Sequence, residues 1–165
     1  MKTAIVYYSR TGNTRTVATL LEQKLKERKT DVDLIEIEAV KKPGLLTAGS
    51  AARAQKELPI KNTEYNLEPY DTLVVGAPIW GGRPSPFIKT FFNSAKNTKG
   101  RKAALFVTGM GPPESHENAR GIIKTTLEQV GIVVADVFLD LRMKKGSIVA
   151  GEQEMDDFLE KVLPP

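Results

Sequence analysis

Residues 4–25 constrain the chain more than any other stretch. An unbroken apolar run, Ala4-Ile5-Val6-Tyr7-Tyr8, passes through Ser9-Arg10-Thr11-Gly12-Asn13-Thr14 into a segment whose Val17, Ala18, Leu21 and Leu25 share one helical face. A strand that feeds a helix through so short a loop leaves the first N–H groups of that helix unpaired, with the positive end of its dipole facing outward. Such a terminus is a site for an anion. Ser9, Thr11 and Thr14 can each add a hydroxyl donor, Gly12 permits the torsions of a tight cradle, and Asn13 tolerates a left-handed turn or caps the helix. The guest that fits is a phosphate group.

The order of residues separates this loop from its rivals. A Walker-type loop needs Gly-Lys-Ser/Thr, and the chain has no Gly-Lys pair, which argues against a nucleotide-hydrolysing site. The dinucleotide fingerprint Gly-x-Gly-x-x-Gly fails too: the loop holds one glycine, and Gly109-Met110-Gly111 lacks the third. What remains is a hydroxyl-rich loop suited to a terminal monophosphate. The stretch from Ile5 to Thr14, followed by Ala18, resembles the FMN-phosphate loop of the flavodoxin family.

Lys2–Tyr8 reads as a buried strand, 13–29 as a helix and 31–38 as a second strand, with Glu36 and Glu38 suiting a sheet edge. Residues 39–70 hold Pro43-Gly44, Gly49 and Pro59, with a short helix near 47–58. The 71–78 stretch is almost continuously apolar, as a central parallel strand should be, and is expected to stop at Pro78. A helix over 85–96, a strand over 102–108, a helix over 115–130, a strand over 132–139 and a helix over 152–162 complete an alternation that predicts a doubly wound α/β domain spanning 1–165. The resemblance implies a flavodoxin-like sheet of five parallel strands in the order 2-1-3-4-5 with helices on both faces.

Ligands of such a sheet lie beyond the carboxyl ends of its strands, where the winding reverses. Three segments converge there: the 9–14 loop, Pro78-Ile79-Trp80-Gly81-Gly82 and Thr108-Gly109-Met110-Gly111. The last two are rich in glycine and proline, which gives fixed loops whose backbone can approach a flat ring. The resemblance implies that they sandwich the isoalloxazine of FMN, so Ser9, Arg10, Thr11, Gly12, Asn13, Thr14, Pro78, Ile79, Trp80, Gly81, Gly82, Thr108, Gly109, Met110 and Gly111 are the expected cofactor-binding residues. Trp80 is expected at a loop tip, against the flavin. The peptides at Gly81 and Gly82 are candidates for the family's backbone switch at flavin N5. Met110 either meets the ring edge or closes the core below the loop. His116, the single histidine, reads as a solvated residue at a helix start, and no catalytic residue or metal-spaced cluster is assigned.

Composition narrows the function. Lys and Arg total 24 against 20 Asp and Glu, a formal charge of +4, yet the basic clusters lie at element ends or mix signs, with no interleaved aromatics to stack bases. Nucleic acid is therefore not an expected partner. There is no cysteine, so a thiolate, an iron–sulfur cluster or a cysteinyl flavin link is excluded in this chain. No apolar run is long enough to cross a bilayer and no signal-peptide core follows Met1, which makes a cytoplasmic location the expectation. Family electron carriers are strongly acidic and this chain is basic. An acidic, ferredoxin-like redox partner is thus the better matched in field. The leading expectation is an FMN protein shuttling electrons between redox proteins; the alternative is an NAD(P)H-dependent FMN oxidoreductase of the quinone or flavin reductase type.

Overall fold

The computed structural model describes residues 1–163. Eight elements set up the site: strands β1 (Lys2–Tyr7), β2 (Asp31–Glu36), β3 (Thr72–Trp80), β4 (Arg83–Pro84), β5 (Lys102–Gly109), β6 (Val133–Lys144) and β7 (Ser147–Ala150), and helix α1 (Asn13–Glu27). The remaining helices are α2 (Leu45–Ala54), α3 (Phe87–Ser94), α4 (Pro113–Gln129) and α5 (Met155–Val162). Their sheet order is β2-β1-β3-β5-β6-β7, with β4 paired to β3. The first five of that path are parallel and reproduce the expected 2-1-3-4-5 winding.

Two additions correct the five-strand expectation: among the described residues the sheet has seven strands. β6 does not end at Leu139. Its buried Leu139, Leu141 and Met143 alternate with Asp140, Arg142 and Lys144, which is strand period, and the run turns back through Lys145 (φ 50°) and Gly146 (φ 83°) into antiparallel β7. β3 likewise runs past Pro78 to Trp80. Proline removes only the donor there; the Pro78 carbonyl still accepts the Ser85 N–H at 3.0 Å, and Trp80 pairs with Arg83 across a two-residue Gly81-Gly82 turn. Both glycines have positive φ, 57° and 79°, as the tight hairpin turn requires.

The strands alternate their side chains between two cores. On one face Ala4, Val6, Leu73 and Val75 meet Phe87, Ile88, Phe91 and Phe92 of α3 and Ala119, Ile123 and Leu127 of α4. On the other, Ile5, Tyr7, Val74 and Phe106 meet Val17, Leu21 and Leu25 of α1 and Met155, Phe158 and Leu159 of α5. The α2 helix begins two residues earlier than expected and ends at Ala54; the extended chain after it is fastened by isolated bridges Ala39–Ile60 and Asn66–Lys96. With β2 at one edge and helices on both faces, the open end of the sheet is the carboxyl end of β1, β3 and β5.

Candidate FMN site

The loop from β1 to α1 turns tightly into the helix. Gly12 stands at φ +98° as the cap of α1, where a side chain would be strained. Ser9 Oγ accepts the Gly12 N–H at 3.1 Å and the Arg15 N–H at 3.2 Å. Helix-start N–H groups therefore already converge on one acceptor oxygen, the arrangement a phosphate oxygen would share. Thr11 is exposed at the crest of the loop.

Three loop residues are committed elsewhere. Arg10 turns away, its Nε donating to the Pro43 carbonyl at 3.1 Å, so it ties the loop to the approach to α2. Thr14 is buried, and its hydroxyl shares a 2.9 Å bond with that of Thr108 at the end of β5. That bond joins the first and third of the expected segments. Asn13 faces the hairpin instead, its Oδ1 accepting the Gly146 N–H at 3.1 Å.

The second and third segments run side by side, Pro78 pairing with Thr108 where β3 and β5 end. Trp80 is half-buried at the tip of β3 and meets two core rings edge-on, Tyr8 at 5.7 Å and Phe87 at 6.5 Å between centroids. It is thus anchored in the core and also borders the site, rather than standing wholly at a loop tip. Asn118 of α4 donates to the Gly82 carbonyl at 2.9 Å, and Gln55 beyond α2 donates to the Pro84 carbonyl at 3.1 Å, so the β3–β4 turn is held from both sides. Beside it, Arg142 Nη2 donates to the Met110 carbonyl at 3.0 Å. The Met110 side chain is 50% exposed, which rules out its closing the core.

His116 departs most from expectation. It is buried, 1% exposed, and its Nδ1 is hydrogen-bonded to Asp140 of β6. The physical reason is a shift of two residues: α4 starts at Pro113, not Ser115, which turns His116 inward, and β6 extends far enough to bring Asp140 beneath it. Tyr8, Asn118, Asp140, Arg142 and Gly146 also shape the site without having been singled out. Only the strand-period run of 139–144 carried a signal that could have found two of them.

Charge around the cradle is uneven. A groove of about 580 Å³ beside the loop is lined by Arg10, Arg15, Lys42 and Lys61 against Glu36 and Glu38. Arg15 Nε donates to Glu36 at 3.0 Å, and Glu36 also takes the Tyr7 hydroxyl at 3.2 Å. Burial, reinforced by that carboxylate, pushes the Tyr7 phenol up to about 12. A roomier cavity of about 670 Å³ lies at the amino end of β3 and β5, near Thr72 and Lys102. It is the wrong end of a doubly wound sheet for a ligand.

Residues 1–139 match the family model of NADPH-dependent FMN reductase. The chain belongs to that family. Among solved structures it is similar to a flavoprotein of Lactobacillus acidophilus in complex with FMN, at 25% identity over 96% of this chain and 98% of that one, with a TM-score of 0.68. Flavodoxin 2 of Bacillus cereus, at 23% identity over 97% and 94% with a TM-score of 0.64, shares the fold. So does a WrbA-like flavodoxin of Agrobacterium tumefaciens, at 15% identity over 96% and 91% with a TM-score of 0.64. No curated protein sequence matches the chain. It is an FMN-binding flavoprotein of flavodoxin-like fold, and the cradle fits the cofactor: a terminal phosphate suits the N–H groups of Gly12 and Arg15 that converge at Ser9 Oγ. Among the described residues no helix is long and apolar enough to cross a membrane.

Proposed function

We propose that the protein is an NADPH-dependent FMN oxidoreductase that passes electrons to a small acceptor such as a quinone or a second flavin. The observation that carries this reading is the Gly109-Met110-Gly111 rim, which sets nothing larger than one half-exposed methionine side chain on its side of the site. A nicotinamide needs such an unobstructed face. The family to which residues 1–139 belong supports the choice of reductant.

Ser9, Thr11 and the N–H groups from Gly12 onward would hold the FMN phosphate, and Trp80 and the 109–111 rim would flank the ring. When bound, FMN supplies the redox chemistry, accepting a hydride from NADPH and releasing two electrons to the acceptor. The chain's own part is placement: Thr14–Thr108 and Asn118–Gly82 fix the loops relative to one another, and Tyr8 and Phe87 hold Trp80. Anaerobic mixing of the FMN-loaded protein with NADPH tests the reading. Bleaching of the flavin absorbance within seconds is expected, and a flavin left oxidised by both NADPH and NADH would overturn it.

A second reading, electron carriage between proteins, is favoured by one observation. Leu45 and Leu46 are 78% and 92% exposed beside Lys41 and Lys42, near the loop that Arg10 ties down. Such a surface suits an acidic redox partner. Reduction by a reduced ferredoxin, with NADPH inert, would select this reading.

A further inference from the structure

Three buried side-chain polar atoms among the described residues lack a hydrogen-bonding partner: Thr3 Oγ1, Ser85 Oγ and His116 Nε2. The first two belong to hydroxyls that can rotate. The imidazole cannot, because its other nitrogen is tied to Asp140. A carboxylate only accepts, so Nδ1 carries the proton of the neutral ring and Nε2 is left as a bare acceptor. Its surroundings locate it closely. A methyl group placed on Gly109 would stand 3.3 Å from Nε2 and 3.3 Å from Ile79 Cβ, and one on Gly111 would stand 3.9 Å from Nε2. The free nitrogen therefore lies beside Gly109 and Gly111, at the seam with the adjacent Ile79 segment. Burying an acceptor there without a donor is unfavourable.

We propose that His116 is a positioning residue of the flavin site, its Nε2 serving as the anchor that peptide N–H groups of the Gly109-Met110-Gly111 rim engage when a flavin ring lies against them. The inference rests on the FMN reading above. Glycine at both ends of the rim gives it the torsional freedom to settle onto the ring. β6 controls that settling twice, through Arg142 on the Met110 carbonyl and, two residues earlier on the same strand face, through Asp140 on His116. Asp140 acts one step back, by fixing which nitrogen carries the proton. The fit of the rim, and with it the balance between oxidised and reduced ring, thus depends on a nitrogen inside the first turn of α4.

Asparagine and glutamine separate the two nitrogens. The amide of His116→Asn reproduces Nδ1 and its bond to Asp140 but supplies nothing at Nε2; the amide of His116→Gln reaches the Nε2 position and gives up Nδ1. The measurements are dissociation constants for FMN and for riboflavin by fluorescence quenching, the midpoint potential of the bound flavin against reference dyes, and the thermal midpoint of the ligand-free protein. His116→Asn is expected to keep the ligand-free thermal midpoint while binding both flavins roughly five- to tenfold more weakly, the scale of one hydrogen bond. Its potential is expected to shift, and His116→Gln to recover part of both losses. Equal losses for FMN and riboflavin place the effect at the ring; unchanged affinity and potential, or a loss confined to FMN, overturns the inference. Nitrogen NMR of the single histidine in the wild-type protein, titrated with FMN, needs no variant: an Nε2 resonance that does not move on binding also overturns it. A wild-type protein that takes up neither FMN nor riboflavin is a different failure, that of the flavin reading itself.

Discussion

The Thr14–Thr108 bond is the smallest unit on which the site depends. Both hydroxyls are buried, at 1% and 2% exposure, so removing one leaves the other without a partner in a place water does not reach. Thr14→Val is expected to cost about 1–3 kcal/mol in urea unfolding of the ligand-free protein. The double variant Thr14→Val/Thr108→Val should lose less than the sum of the two single changes, because no orphan remains. Tyr7 gives a pH signature at the same scale. Its folded value, raised to about 12, lies above the ordinary tyrosine value of about 10, so the stability it contributes is fully present below about 10 and is lost as pH rises through about 12. Alkaline unfolding curves should steepen across that window, and Tyr7→Phe should remove that part of the fall. Single residues were also where the sequence spoke least. Nothing in Glu114-Ser115-His116 showed that the histidine faces inward, because its partner Asp140 is 24 positions away and only the extended β6 brings it near.

At the level of elements, the sequence was legible wherever one face is apolar. The helical spacing of Val17, Leu21 and Leu25 and of Phe87, Phe91 and Phe92 reappears as burial against opposite faces of the sheet. The parallel core strands read as continuous apolar runs for the same reason. What was missed, β7 and the extension of β6, belongs to a largely exposed ribbon: β7 is only four residues long, and its Lys145-Gly146 turn has no strong turn signature. The pairing of β3 with β5 makes a sharp prediction. Gly76 lies opposite Phe106, and a methyl group there would stand 2.0 Å from the Phe106 ring. Gly76→Ala should therefore destabilise by about 3 kcal/mol or more in chemical denaturation, beyond any effect of backbone freedom. Phe106→Leu added to it should restore part of that loss by making room.

Taken as a whole, the molecule is a doubly wound sheet whose proposed flavin site is built from loops at the carboxyl ends of its strands. Binding FMN to the folded form alone should raise its stability by mass action, by about 2.7 kcal/mol at a hundredfold excess over the dissociation constant. Stripping the flavin should lower the thermal midpoint accordingly, and adding FMN back should restore it. With a formal charge of +4 and a doubly anionic ligand group, that protection should weaken as salt rises. Riboflavin, lacking the phosphate, should show little such salt dependence. The clasp around α1 has a consequence for synthesis. Asn13 is held by Gly146, and Lys24 and Arg28 reach Asp156 at 3.0 and 2.7 Å, so the opening helix is braced by residues translated more than a hundred positions later. A nascent chain lacking that closing stretch holds its opening helix without these braces. Truncation upstream of Gly146 removes both braces and is expected to weaken FMN binding, read as a higher dissociation constant by fluorescence quenching.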